Sequence, residues 1–229
     1  MASTAEAVLP KRQRGIDRVD AILRTGITLF AGRDYGSVTM TEIAARSGTA
    51  IGSLYRFFPT KEALAAAILD RYGAHLIGAL DQIVGHLPEM TAQEVAEALV
   101  ALMLDLAHER AAALALADRQ EGGSDKRRAL RDAMIARLCA ILSHGEGKAL
   151  PAGSDAQGDA QIAAVFSQLP SPAAPMEAEA WLLLYMLKAI RSLDQDHPDV
   201  AAVAKADACR LVGLHIAEAW RRSAGDRGQ

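Results

Sequence analysis

Residues 35–64 read YGSVTMTEIAARSGTAIGSLYRFFPTKEAL, and the punctuation of this stretch decides the fold. Thr39 stands three residues ahead of Glu42, a capping-box pair that opens a helix at Met40 and runs it to about Ser47. Gly48 suits the left-handed position just past that helix. After a turn of a few residues Ile51, Leu54, Tyr55 and Phe58 recur at helical steps and predict a third short helix, which Pro59 stops. Thr60 then caps a long helix from Lys61 toward Gly85, carrying Leu64, Ile68, Tyr72, Leu76, Leu80 and Ile83. Upstream, Ile16, Val19, Ile22, Leu23, Ile27 and Phe30 mark an amphipathic helix from about Asp17 to Ala31, ended by the turn Gly32 to Gly36. Two short helices joined by a tight turn behind a first helix describe a helix-turn-helix whose third helix is the reader.

Working outward, the rest of the chain predicts a helical bundle. Thr91 and Glu94 form a second capping box, opening a helix through Val95, Leu99, Leu102, Met103 and Leu106 that breaks near His108 before Ala111 to Ala117. Gly122 and Gly123 precede a helix from Ala129 to Ser143. Glycine and proline make loops of residues 144–158 and of the stretch around Pro170, Pro172 and Pro175. Helices from Met176 to Asp194 and Asp199 to Arg222 close the chain as an antiparallel hairpin.

Composition agrees. Half of the 229 residues are hydrophobic, chiefly Ala, Leu and Ile with Glu, Arg, Lys and Met between them, and these are helix formers. The fold class expected is all-α: an N-terminal three-helix helix-turn-helix domain at 14–74, joined by the long fourth helix to a C-terminal bundle at 75–229. No uninterrupted apolar run reaches membrane length and the N-terminus carries no signal-like stretch, so the expectation is a cytoplasmic protein with no membrane partner. Cys139 and Cys209 lack any metal or redox spacing and read as buried thiols. The net charge is −3, yet residues 1–72 hold ten Lys/Arg against seven Asp/Glu, leaving fifteen against twenty-one behind them. A basic front and an acidic back fit a chain whose front alone approaches phosphate.

The order Ile22-Leu23, Leu29-Phe30, Tyr35-Gly36-Ser37-Val38-Thr39, Ile43-Ala44, Ser47-Gly48, Leu54-Tyr55, Phe57-Phe58-Pro59 and Lys61-Glu62-Ala63-Leu64 resembles the TetR-type repressor family over about residues 14–74. Where that family usually has Val-Ser, this chain has Thr49-Ala50, which displaces a hydroxyl by one residue. The residues themselves support a DNA-binding set. Thr39 and Lys61 each open a helix, where free backbone N–H groups favour phosphate. Tyr55 can donate to phosphate, and Arg56 to phosphate or to guanine O6 and N7. Thr49, Ala50, Ile51, Gly52 and Ser53 begin the reading helix, and Lys11, Arg12 and Arg14 form a basic arm. The chain has no Asn and the reading helix no Gln, so the bidentate amide contact to adenine is missing and DNA shape must supplement direct readout.

A unit of this size gains affinity by dimerising on a palindromic operator, with reading helices about 34 Å apart. The final hairpin is the expected homodimer surface, through Trp181, Leu184, Met186, Leu187, Ile190, Val203, Leu211, Leu214 and Ile216. The resemblance further implies a repressor released by a small-molecule effector bound in the C-terminal bundle. Candidates for its lining are His75, Met103, Leu104, His108, Met134, Leu138, Phe166, Trp181 and Tyr185.

Other classes fit less well. Gly145-Glu146-Gly147-Lys148-Ala149 lacks the first glycine spacing and the Ser/Thr of a phosphate loop. The six histidines show no metal-ligand spacing, so no enzyme, metal site or cofactor is expected. A non-specific architectural DNA binder would carry a strongly basic charge.

Overall fold

The computed structural model describes residues 13–117, 123–144, 176–196 and 198–226. Among them the chain forms nine α-helices and no β-strand: α1 (Gln13–Gly32), α2 (Met40–Arg46), α3 (Ile51–Phe57), α4 (Lys61–His86), α5 (Ala92–Asp105), α6 (Ala107–Ala117), α7 (Gly123–Leu142), α8 (Met176–Asp196) and α9 (Pro198–Asp226). Short 3₁₀ turns lie at Tyr35–Ser37 and Leu87–Glu89. The all-α class read from composition is the class observed. Residues Lys11, Arg12 and Phe166, the loop expected beyond His144 and the proline-rich loop before Met176 lie outside the described residues.

The chain divides into two compact units, Met1–Leu76 with Leu106–Leu130, and Ile77–Asp105 with Arg131–Gln229. The division differs from a single cut after residue 74. Residues 106–130 go with the N-terminal helices because α6 packs along α1, placing Ala112 and Leu116 in the same core as Val19, Ile22, Leu23, Ile27, Leu29 and Phe30.

In the first unit that core continues through Val38, Met40, Ile43 and Ala44 to Leu54, Phe57 and Phe58, then Leu64, Ala65 and Ile68 of α4. Helix α1 starts four residues before the expected Asp17, and Gln13 Nε2 donates to Asp17 Oδ1 over 2.7 Å across its first turn. The end of α2 is a complete Schellman cap. Gly48, at φ 64°, sends its N–H to the Ala45 carbonyl (3.3 Å), and Thr49 sends its own to Ala44 (2.9 Å). Thr49 and Ala44 are both buried, the apolar contact that accompanies this motif.

In the second unit α9 packs on α5 and α8. Gly213 permits the first of these contacts, since a Cβ there would lie 2.6 Å from Gln93 Oε1 and 3.3 Å from its Cα. Leu183, Leu184 and Leu187 of α8 and Val212, Ile216 and Ala219 of α9 are buried, and Trp220 Nε1 donates to the Ile141 carbonyl of α7 over 2.6 Å. Arg222 near the end of α9 reaches Glu179 near the start of α8 (2.7 Å), which fixes the two helices antiparallel as expected.

Other boundaries also differ from the sequence reading. The break between α5 and α6 falls at Leu106, two residues before His108, and α7 begins at Gly123 instead of Ala129. Gly123 starts the helix because Asp125 suits its first turn and pairs with Arg128 (2.8 Å), while Lys126 reaches Asp70 of α4 (2.8 Å). Helix α9 likewise runs four residues past Arg222.

Candidate nucleic-acid interface

Helix α3 has two faces. Leu54 and Phe57 are buried, whereas Ile51 (42% exposed), Gly52, Tyr55 (46% exposed) and Arg56 lie at positions i, i+1, i+4 and i+5 and share the open side. An isoleucine and a tyrosine left that open on a seven-residue helix form an apolar and hydrogen-bonding ridge flanked by a cation. Arg56 is held against the Phe57 ring, its guanidinium carbon 5.0 Å from the centroid. Ala50 is exposed, Ser53 is half-buried and Arg14 is exposed on the first turn of α1. Thr49 is buried, unlike the rest of the set. It serves the Schellman cap, so its hydroxyl does not belong to the exposed reading face.

Helix α2 is held by a side-chain cap, whereas α3 opens at Ala50 without one. Thr39 Oγ1 accepts from the Glu42 N–H (3.1 Å), and that bond contributes about 1 kcal/mol. The other half of the expected capping box is not made, because Glu42 turns to Arg33 (2.6 Å) and Arg46 (3.4 Å). Arg33 in turn donates to the Ser37 carbonyl (3.0 Å), so the carboxylate ties the turn after α1 to α2.

Lys61 does something other than wait for a phosphate. Its ammonium donates to the Tyr35 carbonyl and sits 4.0 Å from the Tyr35 ring centroid, while the ring stacks on Phe30 at 5.6 Å. The Tyr35 hydroxyl donates to Glu62 Oε1 over 3.0 Å. Partial burial lowers the Lys61 pKa, and burial together with Glu62 raises that of Tyr35. Lys61 is thus a positioning residue that fastens the start of α4 to the turn before α2. At that start Thr60 Oγ1 accepts one of the free backbone N–H groups, that of Ala63 (3.0 Å).

The residues expected around an effector are distributed over both units. In the first, His108 is exposed, and His75 donates from Nδ1 to Glu109 (2.9 Å) within an ionic chain that continues through Arg71 and Asp20 to Arg24. In the second, Met103 and Leu138 are buried, Leu104, Met134 and Trp181 are half-buried, and Tyr185 is 60% exposed. Trp181 and Tyr185 lie 6.2 Å apart by ring centroids, with Arg131 5.6 Å from the indole. Of the residues expected at a dimer surface, Leu184, Leu187, Leu214 and Ile216 are buried within their own unit, whereas Leu211 is exposed alongside Leu182 (48%) and Tyr185. Among the described residues no three His, Cys, Asp or Glu side chains gather as metal ligands. Sequence patterning missed His215, a polar residue in the middle of an apolar face of α9 that the structure buries.

Residues 22–68 match the family described as bacterial regulatory proteins, tetR family. No curated protein matches the chain. Among solved structures, a transcriptional regulator from Cytophaga hutchinsonii ATCC 33406 is 18% identical, with 88% of this chain and 97% of that one covered and a TM-score of 0.55. FadR from Bacillus subtilis, solved in complex with stearoyl-CoA, is 16% identical over 84% of this chain and 96% of its own, with a TM-score of 0.55. The SmeT–triclosan complex is 15% identical over 86% and 89%, with a TM-score of 0.56. At such identities the likeness speaks for the fold, and the family match speaks for the front domain. Residues 22–68 thus form a helix-turn-helix domain of the kind found in bacterial regulatory proteins of the tetR family, and the described helices share the all-α fold of the regulators above.

Proposed function

We propose that this regulator is a cytoplasmic repressor that binds a palindromic operator as a homodimer and leaves it when a small molecule binds its second unit. The open face of α3 carries this reading: Ile51, Gly52, Tyr55 and Arg56 project from a helix whose other side is locked into the core by Leu54 and Phe57. Ile51 against a thymine methyl, Tyr55 on a phosphate and Arg56 on phosphate or guanine use every exposed group on that face. Arg14 adds charge at the backbone. Thr39 and the first N–H groups of α2 and α4 supply uncharged phosphate donors.

Dimerisation through α8 and α9 is supported by Leu182, Tyr185 and Leu211, apolar side chains exposed on helices whose inner faces are already filled. Response to a small molecule draws on the neighbours solved with triclosan and with stearoyl-CoA in a shared fold. Repression draws on the family resemblance.

The test is binding of the purified protein to its own promoter fragment across a salt series, with Tyr55→Ala and Arg56→Ala beside the wild type. The expected result is tight wild-type binding that weakens by about tenfold or more in each variant, with a shallower salt slope for Arg56→Ala. Equal binding by all three proteins would refute the assignment of α3 as the reader.

A further inference from the structure

Helices α1 and α4 run antiparallel, and three contacts mark their register. At the start of α4 the Lys61 ammonium lies 5.8 Å from the Phe30 ring centroid. Midway, a Cβ on Gly26 would come within 3.0 Å of Ile68 Cδ1 and 3.8 Å of Leu64 Cδ2. At the far end Arg71 donates from Nη1 to Asp20 Oδ1.

Glu109 of α6 joins this far end. Arg71 Nε lies 3.8 Å from Glu109 Oε1, within ionic reach but beyond a hydrogen bond, and it has no hydrogen bond among the described residues. His75, one helical turn past Arg71, bonds Glu109 at 2.9 Å, and Arg24 holds Asp20 at 2.9 Å. The Arg71 and Glu109 side chains are only 21% and 18% exposed, so salt screens this pair less than it would a surface pair. The hydrogen bond from Arg71 holds the Asp20 carboxyl below its usual pKa, against the opposing effect of burial.

The apolar contacts of this core, Val19, Leu23, Ile68 and Leu116 among them, are non-directional and tolerate a swivel of one helix on another. A planar guanidinium set between two carboxylates does not, because its donors point along fixed lines. Arg14, on the first turn of α1, lies about 9 Å along the helix beyond Asp20, so a swivel of α1 about the Gly26–Ile68 contact displaces it. Helix α2 packs on α1, and α3 on α2, so the reading helix moves with them.

We propose that Arg71 is a positioning residue for DNA binding: by holding Asp20 of α1 and Glu109 of α6 to α4, it fixes the angle at which α1, α2 and α3 meet the duplex. Arg71 touches no DNA itself. The inference rests on the DNA-binding reading above and adds to it a residue outside the reading face.

The experiment is promoter binding by the full chain across a salt series, well below the Tm of each protein, with wild type, Arg71→Met, Arg71→Lys, Glu109→Gln and the Arg71→Met/Glu109→Gln pair. Glutamine keeps an oxygen for His75 and removes the charge that faces Arg71. The expected result is that Arg71→Met weakens binding by about fivefold or more at an unchanged salt slope, since no phosphate contact is lost. Arg71→Lys, which keeps the charge without the fork, falls between Arg71→Met and wild type. Glu109→Gln alone also weakens binding, yet adds little to Arg71→Met, because the contact it breaks is already gone. Wild-type affinity in either Arg71→Met or Glu109→Gln overturns the proposal, as do additive losses in the pair. A slope shallower by about one unit overturns it too, since it would make Arg71 a phosphate ligand. So does a loss no larger than the unfolded fraction from calorimetry, which would leave Arg71 a stabilising residue only. Should Arg71→Met not fold, Arg71→Lys and Glu109→Gln decide by the same criteria. A wild type that binds neither its promoter nor genomic pools refutes the DNA-binding reading and this role with it, whereas tight wild-type binding with unchanged variants refutes the role of Arg71 alone.

Discussion

Replacing Gly48 by alanine tests whether the geometry of the helix-turn-helix is set by one backbone angle. A Cβ built on Gly48 meets nothing within 4 Å, so the substitution introduces no clash and its whole effect is conformational. At φ 64° an L-residue suffers about 1–2 kcal/mol from its Cβ against the following carbonyl. Loss of glycine's freedom in the unfolded chain returns roughly 0.4–1 kcal/mol. At the middle of these ranges, about 1.5 less about 0.7, the net destabilisation is about 0.8 kcal/mol, a fall in Tm of roughly 2–3 °C for a chain of this length. Two hydrogen bonds decide whether DNA binding suffers more than stability does. If alanine holds the left-handed angle, the bonds from Gly48 N and Thr49 N to Ala45 and Ala44 persist, and promoter affinity stays near wild type. If it relaxes to a right-handed angle both bonds break, α3 swings relative to α2, and affinity falls far more than the unfolded fraction accounts for. Asparagine, which tolerates this region better, should lie between glycine and alanine in calorimetric Tm. A Gly48→Ala protein at least as stable as the wild type would refute the reasoning, as would an asparagine variant less stable than the alanine one.

Gly213→Ala should destabilise the second unit through contact with Gln93. Combining it with Gln93→Ala should recover only part of the loss in a denaturant titration, because the 3.3 Å approach to the Gln93 Cα remains. Trp220→Phe removes the donor to the Ile141 carbonyl and should lower unfolding free energy by about 1–3 kcal/mol, read by calorimetry. His215 gives a pH dependence of known sign. Burial holds its folded pKa below the unfolded value near 6.5, so the unfolded chain takes up the proton first on acidification. Stability is full above that value and is lost as pH falls from it through the folded pKa, by up to about 1.4 kcal/mol per pH unit. His215→Phe should flatten the slope in that window, and an unchanged slope would count against the burial argument. Lys61→Met should lower Tm and weaken promoter binding without making the salt slope shallower, since its ammonium is bound to Tyr35; a slope reduced by about one unit would instead mark a phosphate contact.

Much of the architecture was legible because it is written in local signals. Thr60, Gly48 and Pro59 punctuate the chain where the structure does, and Thr91 with Glu94 forms the full reciprocal box, at 2.7 and 3.2 Å. The box at Thr39 is half-formed for a reason that lies nine residues away, since Arg33 outbids the backbone for Glu42. Lys61 and Thr49 likewise have partners that the sequence does not announce. Position along the chain places both near the reading helix, but only packing shows that one is turned into Tyr35 and the other closed into a cap. The allegiance of α6 to the first unit is likewise a tertiary fact, made by Ala112 and Leu116 meeting α1. His215 has no ligand spacing among the six histidines, and its burial depends on packing that no periodicity reveals.

The division of labour within α3 has a bearing on how such a regulator changes over generations. Ile51, Gly52 and Tyr55 lie outside the core, and Arg56 touches it only by lying over the Phe57 ring, whereas Leu54 and Phe57 are part of that core. If these four positions read the operator as proposed, substitutions there exchange one operator for another at small cost to folding. A duplicated copy of the gene could acquire new targets by single codon changes there, and a library randomised at those sites would be a practical route to regulators with chosen operators.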